Sequence, residues 1–182
     1  MQTLEKYMSP KGPESETSNI VLRKPTAQDG PHLHKLVARC KPLDENSIYC
    51  NLLQCSHFAA TGVAAERDGQ LVGFVSGYVV PERPDTFFLW QVAVGEEARG
   101  CGLAGRMINA ILERPELSAL RYLETTITPD NEASWALFRA FARRRGAALD
   151  SAVHFTRDTH FHGAHDDEHL LRIGPFSIQS EK

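Results

Sequence analysis

The residues with the clearest capacity for chemistry form a short glycine-rich run at positions 99–105, which reads RGCGLAG. It follows an apolar segment typical of a buried strand and precedes a segment with helical spacing. Glycines at such a junction leave backbone amides free to point at an anion, and the N-terminus of the following helix adds about half a positive charge. The run therefore predicts a loop that binds the phosphates of a cofactor.

A dinucleotide fingerprint is the first competing interpretation of this run. Gly100, Gly102 and Gly105 have the G-x-G-x-x-G spacing, and Glu124 follows about 20 residues later, where an acidic residue would bind a ribose. However, residues 95–99 separate the strand from the first glycine, and a hairpin precedes the strand. The chain after position 127 is also too short for a second nucleotide-binding half. A loop that binds nothing is the other alternative, and we favour the phosphate-binding interpretation over both.

Acidic, aromatic and histidine side chains elsewhere supply further candidates. By position alone, Glu124 on a predicted strand is either a base or part of a structural hydrogen-bond network, and Asp44 is a cap or turn residue. Trp90 and Tyr49 would be core residues on the same grounds. Five of the eight histidines lie between positions 154 and 169, where their spacing matches no regular element, so we expect no metal site there.

The chain as a whole has the composition of one globular domain. Its 182 residues are 42% hydrophobic and 24% charged, with a net charge of −3, which argues against nucleic acid as a partner. No run approaches the roughly 20 consecutive apolar residues of a membrane span, so we expect no membrane partner. Four cysteines without metal-site or disulfide spacing favour reduced thiols and hence a cytoplasmic protein.

The elements that must position these residues follow from periodicity and turn signals. Residues 1–18 are polar and rich in Pro, Ser and Glu, so we expect a flexible leader, then one domain at 19–176 and a tail at 177–182. A strand at 20–23 and two helices precede a hairpin that turns at 68–69, and the apolar strand 87–94 precedes the glycine loop. A helical crossover makes strand 122–127 parallel to it, and a helix at 131–145 and two last strands follow. The predicted fold is α/β, a mixed sheet with helices on both faces.

The glycine loop and its neighbours resemble the GNAT superfamily of acetyl-CoA-dependent N-acetyltransferases. The sequence RGCGLA at 99–104 is similar to that family's R/Q-x-x-G-x-G/A signature, and the strand ending in VAV at 92–94 precedes it as in the family. The resemblance implies a mostly antiparallel sheet in which strands 87–94 and 120–127 splay apart to admit acetyl-CoA. It also implies an oxyanion-binding amide at Val92 and cofactor contacts from a longer set of residues: Val92, Ala93, Val94, Arg99, Gly100, Cys101, Gly102, Leu103, Ala104 and Asn131.

Two other segments resemble one branch of that superfamily, the L-2,4-diaminobutyrate acetyltransferases. They read LDENSIYCNLLQC at 43–55, with a phenylalanine at 58, and FLWQV at 88–92. The resemblance implies transfer of an acetyl group to the side-chain (N4) amine of diaminobutyrate, a step of ectoine biosynthesis, by an enzyme that is often a homodimer. The implied substrate ligands are Asp44, Tyr49, Trp90, Glu124, His165 and Glu168.

Acetylation of an amine sets a clear chemical requirement. A side-chain amine with a pKa near 10.4 is neutral in about one molecule in a thousand at physiological pH, so removing its proton costs about 4 kcal/mol. Glu124 is the predicted water-mediated base. Phe138 stands where many GNAT members have a tyrosine that protonates the leaving thiolate. Two alternatives therefore stay open: the same chemistry on another small amine or a protein N-terminus, and a non-catalytic acyl-CoA sensor.

Overall fold

The computed structural model describes residues 19–41 and 43–177, and these form seven strands and four α-helices. The predicted leader, 1–18, and positions 178–182 of the predicted tail lie outside the described residues. The strands are β1 (Val21–Arg23), β2 (Val63–Arg67), β3 (Gln70–Val80), β4 (Arg83–Val94), β5 (Tyr122–Ile127), β6 (Leu149–Phe155) and β7 (Glu168–Ile173). The helices are α1 (Gly30–Arg39), α2 (Ile48–Ser56), α3 (Leu103–Leu112) and α4 (Glu132–Arg145).

The strands form one sheet whose order is β1-β2-β3-β4-β5-β7-β6. Neighbouring strands pair antiparallel except β4 and β5, which are parallel. A parallel pair needs a long crossover connection, and α3 lies in the segment that joins these two strands. The predicted α/β class, with a mixed and mostly antiparallel sheet, is confirmed.

Apolar residues at alternate strand positions cover both faces of the sheet. On one face, Val63 and Ala65 pack in a buried cluster with Met107 of α3 and other residues of α3 and α4. On the opposite face, Ala64 packs with Leu36 and other residues of α1. Burial on both faces explains why β3 and β4 have nearly continuous apolar sequences. The prediction of helices on both faces is confirmed.

Short-range signals in the sequence set several helix ends. Ser47 before α2 and Asn131 before α4 each accept a backbone N–H with the side-chain oxygen at 3.1 Å, and α4 ends at Gly146, whose φ of +58° favours glycine. Asp29, a residue type common at helix N-caps, precedes α1, but its carboxylate makes no cap bond to that helix and instead accepts from the Arg23 guanidinium at 2.8 Å. Within residues 19–41 and 43–177, every helix is too short or too polar to span a bilayer.

Candidate active site

A gap opens between the two parallel strands. Pairing of β4 with β5 ends at Phe88 opposite Glu124, although β4 continues to Val94 and β5 continues to Ile127. Beyond that point, the backbone N–H and C=O groups that face the gap have no hydrogen-bond partner on the other strand. Buried backbone groups of this kind need a hydrogen-bond partner, which a bound ligand can supply. The splayed parallel pair that the family resemblance implies is confirmed.

A β-bulge at Trp90 changes the face of the sheet to which the later side chains of β4 point. Ser76 on β3 pairs with Gln91, and the next residue, Gly77, pairs with Leu89, so Trp90 is an extra residue on β4. The Trp90 side chain is 44% exposed, whereas Leu89 beside it is 2% exposed. Because one residue is inserted, the alternation of side chains between the two faces is reversed in the rest of the strand.

The main chain of Val92 points into the gap. The N–H of Gly95 donates to the carbonyl of Val72 at 2.9 Å, and hydrogen bonding alternates from residue to residue along an antiparallel pair. Ala93, opposite Phe74, therefore bonds to β3. The N–H and C=O of Val92 point the other way, towards β5, which is where an oxyanion-binding amide would have to lie.

The glycine loop presents its backbone at the start of α3. Gly100 has a φ of +76° and Gly102 a φ of +71°, a conformation that strains any residue with a side chain. A Cβ at either position would have no atom within 4 Å, so both glycines face open space. Arg99 is exposed and donates from Nε to the last carbonyl of β4 at 3.2 Å, and the Cys101 thiol donates to the Ala98 carbonyl at 3.1 Å. At Gly100 and Gly102 the loop therefore presents backbone without side chains.

A cavity of about 410 Å³ runs from this loop along the gap. It is lined by every predicted cofactor residue except Ala93 and Cys101: Val92, Val94, Arg99, Gly100, Gly102, Leu103, Ala104 and Asn131. Ala93 is buried on the other face of the sheet, in the cluster with α1. The cofactor roles of all these residues stay predictions, but their placement at one gap is the arrangement that a phosphate-bearing thioester requires.

A second cavity, of about 640 Å³, continues from the first. The two share Leu43, Val92, Asn131 and Ser134 in their linings. The larger cavity brings together predicted substrate residues that are remote in sequence: Asp44, Trp90, His165 and Glu168. Tyr49 and Glu124 are not part of its lining, and Tyr49 is 67% exposed on α2.

His165 lies between two carboxylates at the wall of the larger cavity. Its Nε2 is 4.0 Å from Asp44 Oδ2 and 3.8 Å from Glu168 Oε1, and its Nδ1 lies 2.8 Å from the Asp166 carbonyl, where it donates a hydrogen bond. That bond, together with the negative charges of Glu168 and Asp44, raises the pKa of His165 above its ordinary value. The cluster is net acidic, which suits a cationic ligand.

Glu168 carries an oxygen without a partner. Its Oε2 is buried and makes no hydrogen bond within the described part of the chain. Burial raises the pKa of Glu168, and the positive charge of His165 only partly offsets this effect. A buried carboxylate oxygen that lacks a donor is costly, and a ligand N–H in the cavity would satisfy it.

Glu124 has a different environment from the one predicted for a base. Its side chain is 2% exposed and is held by Arg83 in two bonds, at 2.5 and 2.8 Å, and by Arg172 in a third. Burial alone would raise the pKa of Glu124, but the two arginines outweigh it and hold the pKa below its ordinary value. The contacts therefore favour the alternative of a structural hydrogen-bond network.

Sequence inspection missed residues that position the site from neighbouring strands. Gln91 donates from Nε2 to the Asp44 carbonyl at 3.2 Å and so ties the segment before α2 to β4. Thr126, which also lines the larger cavity, lies two residues after Glu124 and thus on the same face of β5, a signal that alternation could have provided. Phe138 is 2% exposed in the wall of the larger cavity. Among the described residues, no cluster of three or more His, Cys, Asp or Glu side chains could hold a metal.

The family model described as the Acetyltransferase (GNAT) family matches residues 31–142 of the chain. The chain belongs to the GNAT acetyltransferase family. Among similar proteins, the L-2,4-diaminobutyric acid acetyltransferase of Methylotuvimicrobium alcaliphilum is 55% identical over 157 residues, which covers 86% of this chain and 91% of that protein. The enzyme of the same name from Halomonas elongata is 52% identical over 162 residues, which covers 88% of this chain and 84% of that protein.

A solved GNAT structure agrees with these matches. Diaminobutyrate acetyltransferase EctA from Paenibacillus lautus, in complex with its substrate L-2,4-diaminobutyric acid and coenzyme A, has a TM-score of 0.82 and 34% identity to this chain. The match covers 90% of this chain and 98% of that one. Both family resemblances noted in the sequence are therefore confirmed.

Proposed function

We propose that the protein transfers the acetyl group of acetyl-CoA to the side-chain (N4) amine of L-2,4-diaminobutyrate, the acetylation step of ectoine biosynthesis. The observation that carries this proposal is the pair of adjoining cavities at the splayed strands: a phosphate-binding loop opens one and an acidic cluster lines the other. The relatives with 55% and 52% identity bear the name of this activity. The EctA complex with diaminobutyric acid and coenzyme A supports both substrates.

In the proposed complex, the amides of the glycine loop bind the pyrophosphate of acetyl-CoA, and the pantetheine arm lies along β4. The substrate, which carries two ammonium groups and a carboxylate, binds in the larger cavity, where Asp44 and Glu168 oppose its ammonium groups and Trp90 lies beside it. Tyr49 remains a predicted contact from the exposed side of α2. The arrangement puts an amine next to the thioester at the point where the two cavities meet.

The reaction is a direct transfer. The neutral amine attacks the thioester carbonyl, a C–N bond forms, and the oxygen that gains negative charge accepts a hydrogen bond from the Val92 amide. The C–S bond then breaks and coenzyme A leaves as a thiolate, while the nitrogen loses one proton to water as the amide forms and the thiolate takes up a proton from water in turn. Cys101 is not a suitable covalent nucleophile, because its thiol is turned inward to the Ala98 carbonyl.

We also propose a homodimer, on the evidence of the sheet edge. β6 is the last strand of the sheet, and six of its seven residues are exposed, including Val153 at 51% and Phe155 at 39%. An edge strand with exposed apolar side chains and unpaired backbone groups is normally covered. Light scattering of the purified protein tests this, and Val153→Lys is expected to give monomers. We expect the enzyme in the cytoplasm, where acetyl-CoA is available.

The decisive experiment measures thiol release from acetyl-CoA with diaminobutyrate, ornithine and lysine side by side. A clear preference for diaminobutyrate, with product identified as the N4-acetyl compound, supports the proposal. Equal rates on lysine would assign the same chemistry to another amine. Tight binding of acetyl-CoA without thiol release on any amine would favour the acyl-CoA sensor, which the hydroxyl-free Phe138 motivates.

A further inference from the structure

Gln91 lines the larger cavity, but the chemistry of the reaction gives it no part. It directly precedes Val92, whose main chain points into the gap between the strands. An uncharged amide cannot serve as an acid or a base, so Gln91 does not move a proton. Such an amide can donate and accept hydrogen bonds at the same time, and Gln91 does both.

The side chain of Gln91 holds residues 43–47, which we call the α1–α2 segment. Nε2 of Gln91 donates to the main-chain carbonyl of Asp44 at 3.2 Å, and Oε1 accepts from Nδ2 of Asn46 at 3.3 Å. Asn46 is half-buried, and it lines the larger cavity together with Asp44. The two bonds therefore attach two residues of the α1–α2 segment to one position of β4.

The bulge at Trp90 turns Gln91 towards the α1–α2 segment. Leu89 and Ala93 each lie two residues from Gln91, and a regular strand would put all three side chains on one face. Instead, Leu89 packs with residues of α3 and α4, whereas Ala93 packs with α1 on the other face. Gln91 and Ala93 pair in regular register with β3, so Gln91 shares the face of Ala93. The extra residue accounts for this change of face.

Gln91 thus links two groups that act on opposite ends of the acceptor. In the proposed complex, the Asp44 carboxylate opposes the ammonium group that is not acetylated, and the Val92 amide marks the thioester that the other amine attacks. The Asp44 side chain is 89% exposed, so packing alone does not hold it in place. Because Gln91 is bonded covalently to Val92 and by a hydrogen bond to Asp44, it fixes the distance between the two groups.

We propose that Gln91 is a positioning residue that selects the chain length of the acceptor; this inference rests on the proposed function. Ornithine has one more methylene between its amines than diaminobutyrate, and lysine has two more. With Asp44 held in place, a longer chain carries the attacking nitrogen past the thioester carbon. One extra methylene typically changes kcat/KM by about 10–200-fold, and a misplacement of about 1 Å can cost about 100-fold in rate.

The test compares kcat/KM for diaminobutyrate and for ornithine, at saturating acetyl-CoA, in the wild-type enzyme and in Gln91→Met. Met has nearly the length of Gln, but it cannot donate to the Asp44 carbonyl and is a poor acceptor for Asn46. We expect kcat/KM for diaminobutyrate to fall about tenfold, mainly through KM, and that for ornithine to stay within about threefold. The preference for diaminobutyrate should therefore fall about threefold or more, with unchanged affinity for acetyl-CoA.

Two further variants separate positioning from stability. Asn46→Ala removes one of the two bonds without changing β4, so it should lower the preference in the same direction, and it replaces Gln91→Met if that variant does not fold. The double variant should be no worse than Gln91→Met, because both residues act through one contact. The matched control is Ser76→Ala: Ser76 lies opposite Gln91 on β3, and its buried Oγ has no partner among the described residues. This control should keep both kcat/KM values.

Two results would overturn the inference. Equal losses of kcat/KM on both substrates in Gln91→Met would give Gln91 a structural role alone. Unchanged values on both substrates would show that other contacts hold Asp44. Failure of the proposed function is a separate result, because it would appear in the wild-type enzyme as a preference for ornithine or lysine. In that case, Gln91→Met should still weaken the preference for one chain length.

Discussion

Replacing Glu124 with Gln tests whether this residue is structural or catalytic. The carboxylate is 2% exposed and accepts three bonds, two from Arg83 and one from Arg172. Hydrogen bonds to charged groups contribute about 1.5–3 kcal/mol each to stability. A Gln side chain must lose at least one of these bonds, because its NH2 group cannot accept a hydrogen bond from a guanidinium. The guanidinium groups are 45% and 34% exposed and can regain water. We therefore expect a loss of about 2–4 kcal/mol in the free energy of unfolding.

Stability is measured by urea and thermal unfolding, and a loss of this size lowers the Tm by about 5–15 °C for a chain of this length. The matched control is Glu116→Gln, because Glu116 pairs with Lys24 at the surface with side chains that are 45% and 55% exposed. Such a pair contributes less than about 1 kcal/mol. The control should therefore unfold almost like the wild-type protein.

The pH dependence of stability gives an independent check on the same pair of variants. The pKa of Glu124 is lower in the folded protein than its ordinary value of 4.5, so its stabilising effect is complete above that pH and is lost as the pH falls through the folded-state pKa. The difference between wild type and Glu124→Gln should therefore shrink in acid. An unchanged unfolding midpoint would refute the structural role, and a folded variant with kcat reduced about 100-fold would return Glu124 to the role of base.

Three other substitutions test the remaining parts of the site. Gly102→Ala should weaken acetyl-CoA binding, measured by calorimetry, about tenfold. The control Gly69→Ala, at a φ of +75° in the β2–β3 turn, introduces the same backbone strain, so it should cost about 1 kcal/mol of stability and leave acetyl-CoA binding intact. Equal losses of affinity in the two variants would contradict the loop assignment. Cys101→Ala should keep turnover within about twofold, and a folded but inactive variant would refute direct transfer. Phe138→Tyr places a hydroxyl in a wall that is 2% exposed and should change kcat by less than about threefold; a large gain would show that thiolate departure limits the rate.

The sequence by itself determined the parts of this protein that depend on short stretches of chain. β4, the glycine loop and α3 follow one another within 30 residues, from Arg83 to Leu112, and their order predicts a phosphate-binding turn because each element is recognisable from its own residues. Asn131 and Gly146 mark the two ends of α4 for the same reason. The family resemblance then supplied the splay of the strands and the substrate.

The tertiary structure alone decided what depends on contacts between distant segments. The bulge at Trp90 becomes visible only when β4 is paired with β3, since the run FFLWQVAV at 87–94 shows no alternation of apolar and polar residues. Glu124 is separated from Arg83 by 41 residues and from Arg172 by 48, and nothing near it in the chain shows that both would bind its carboxylate. The orphaned oxygen of Glu168 likewise follows from which strands lie side by side. Strand register and burial are set by packing of the whole chain, so the ionisation of a carboxylate is decided there and not by its neighbours in sequence.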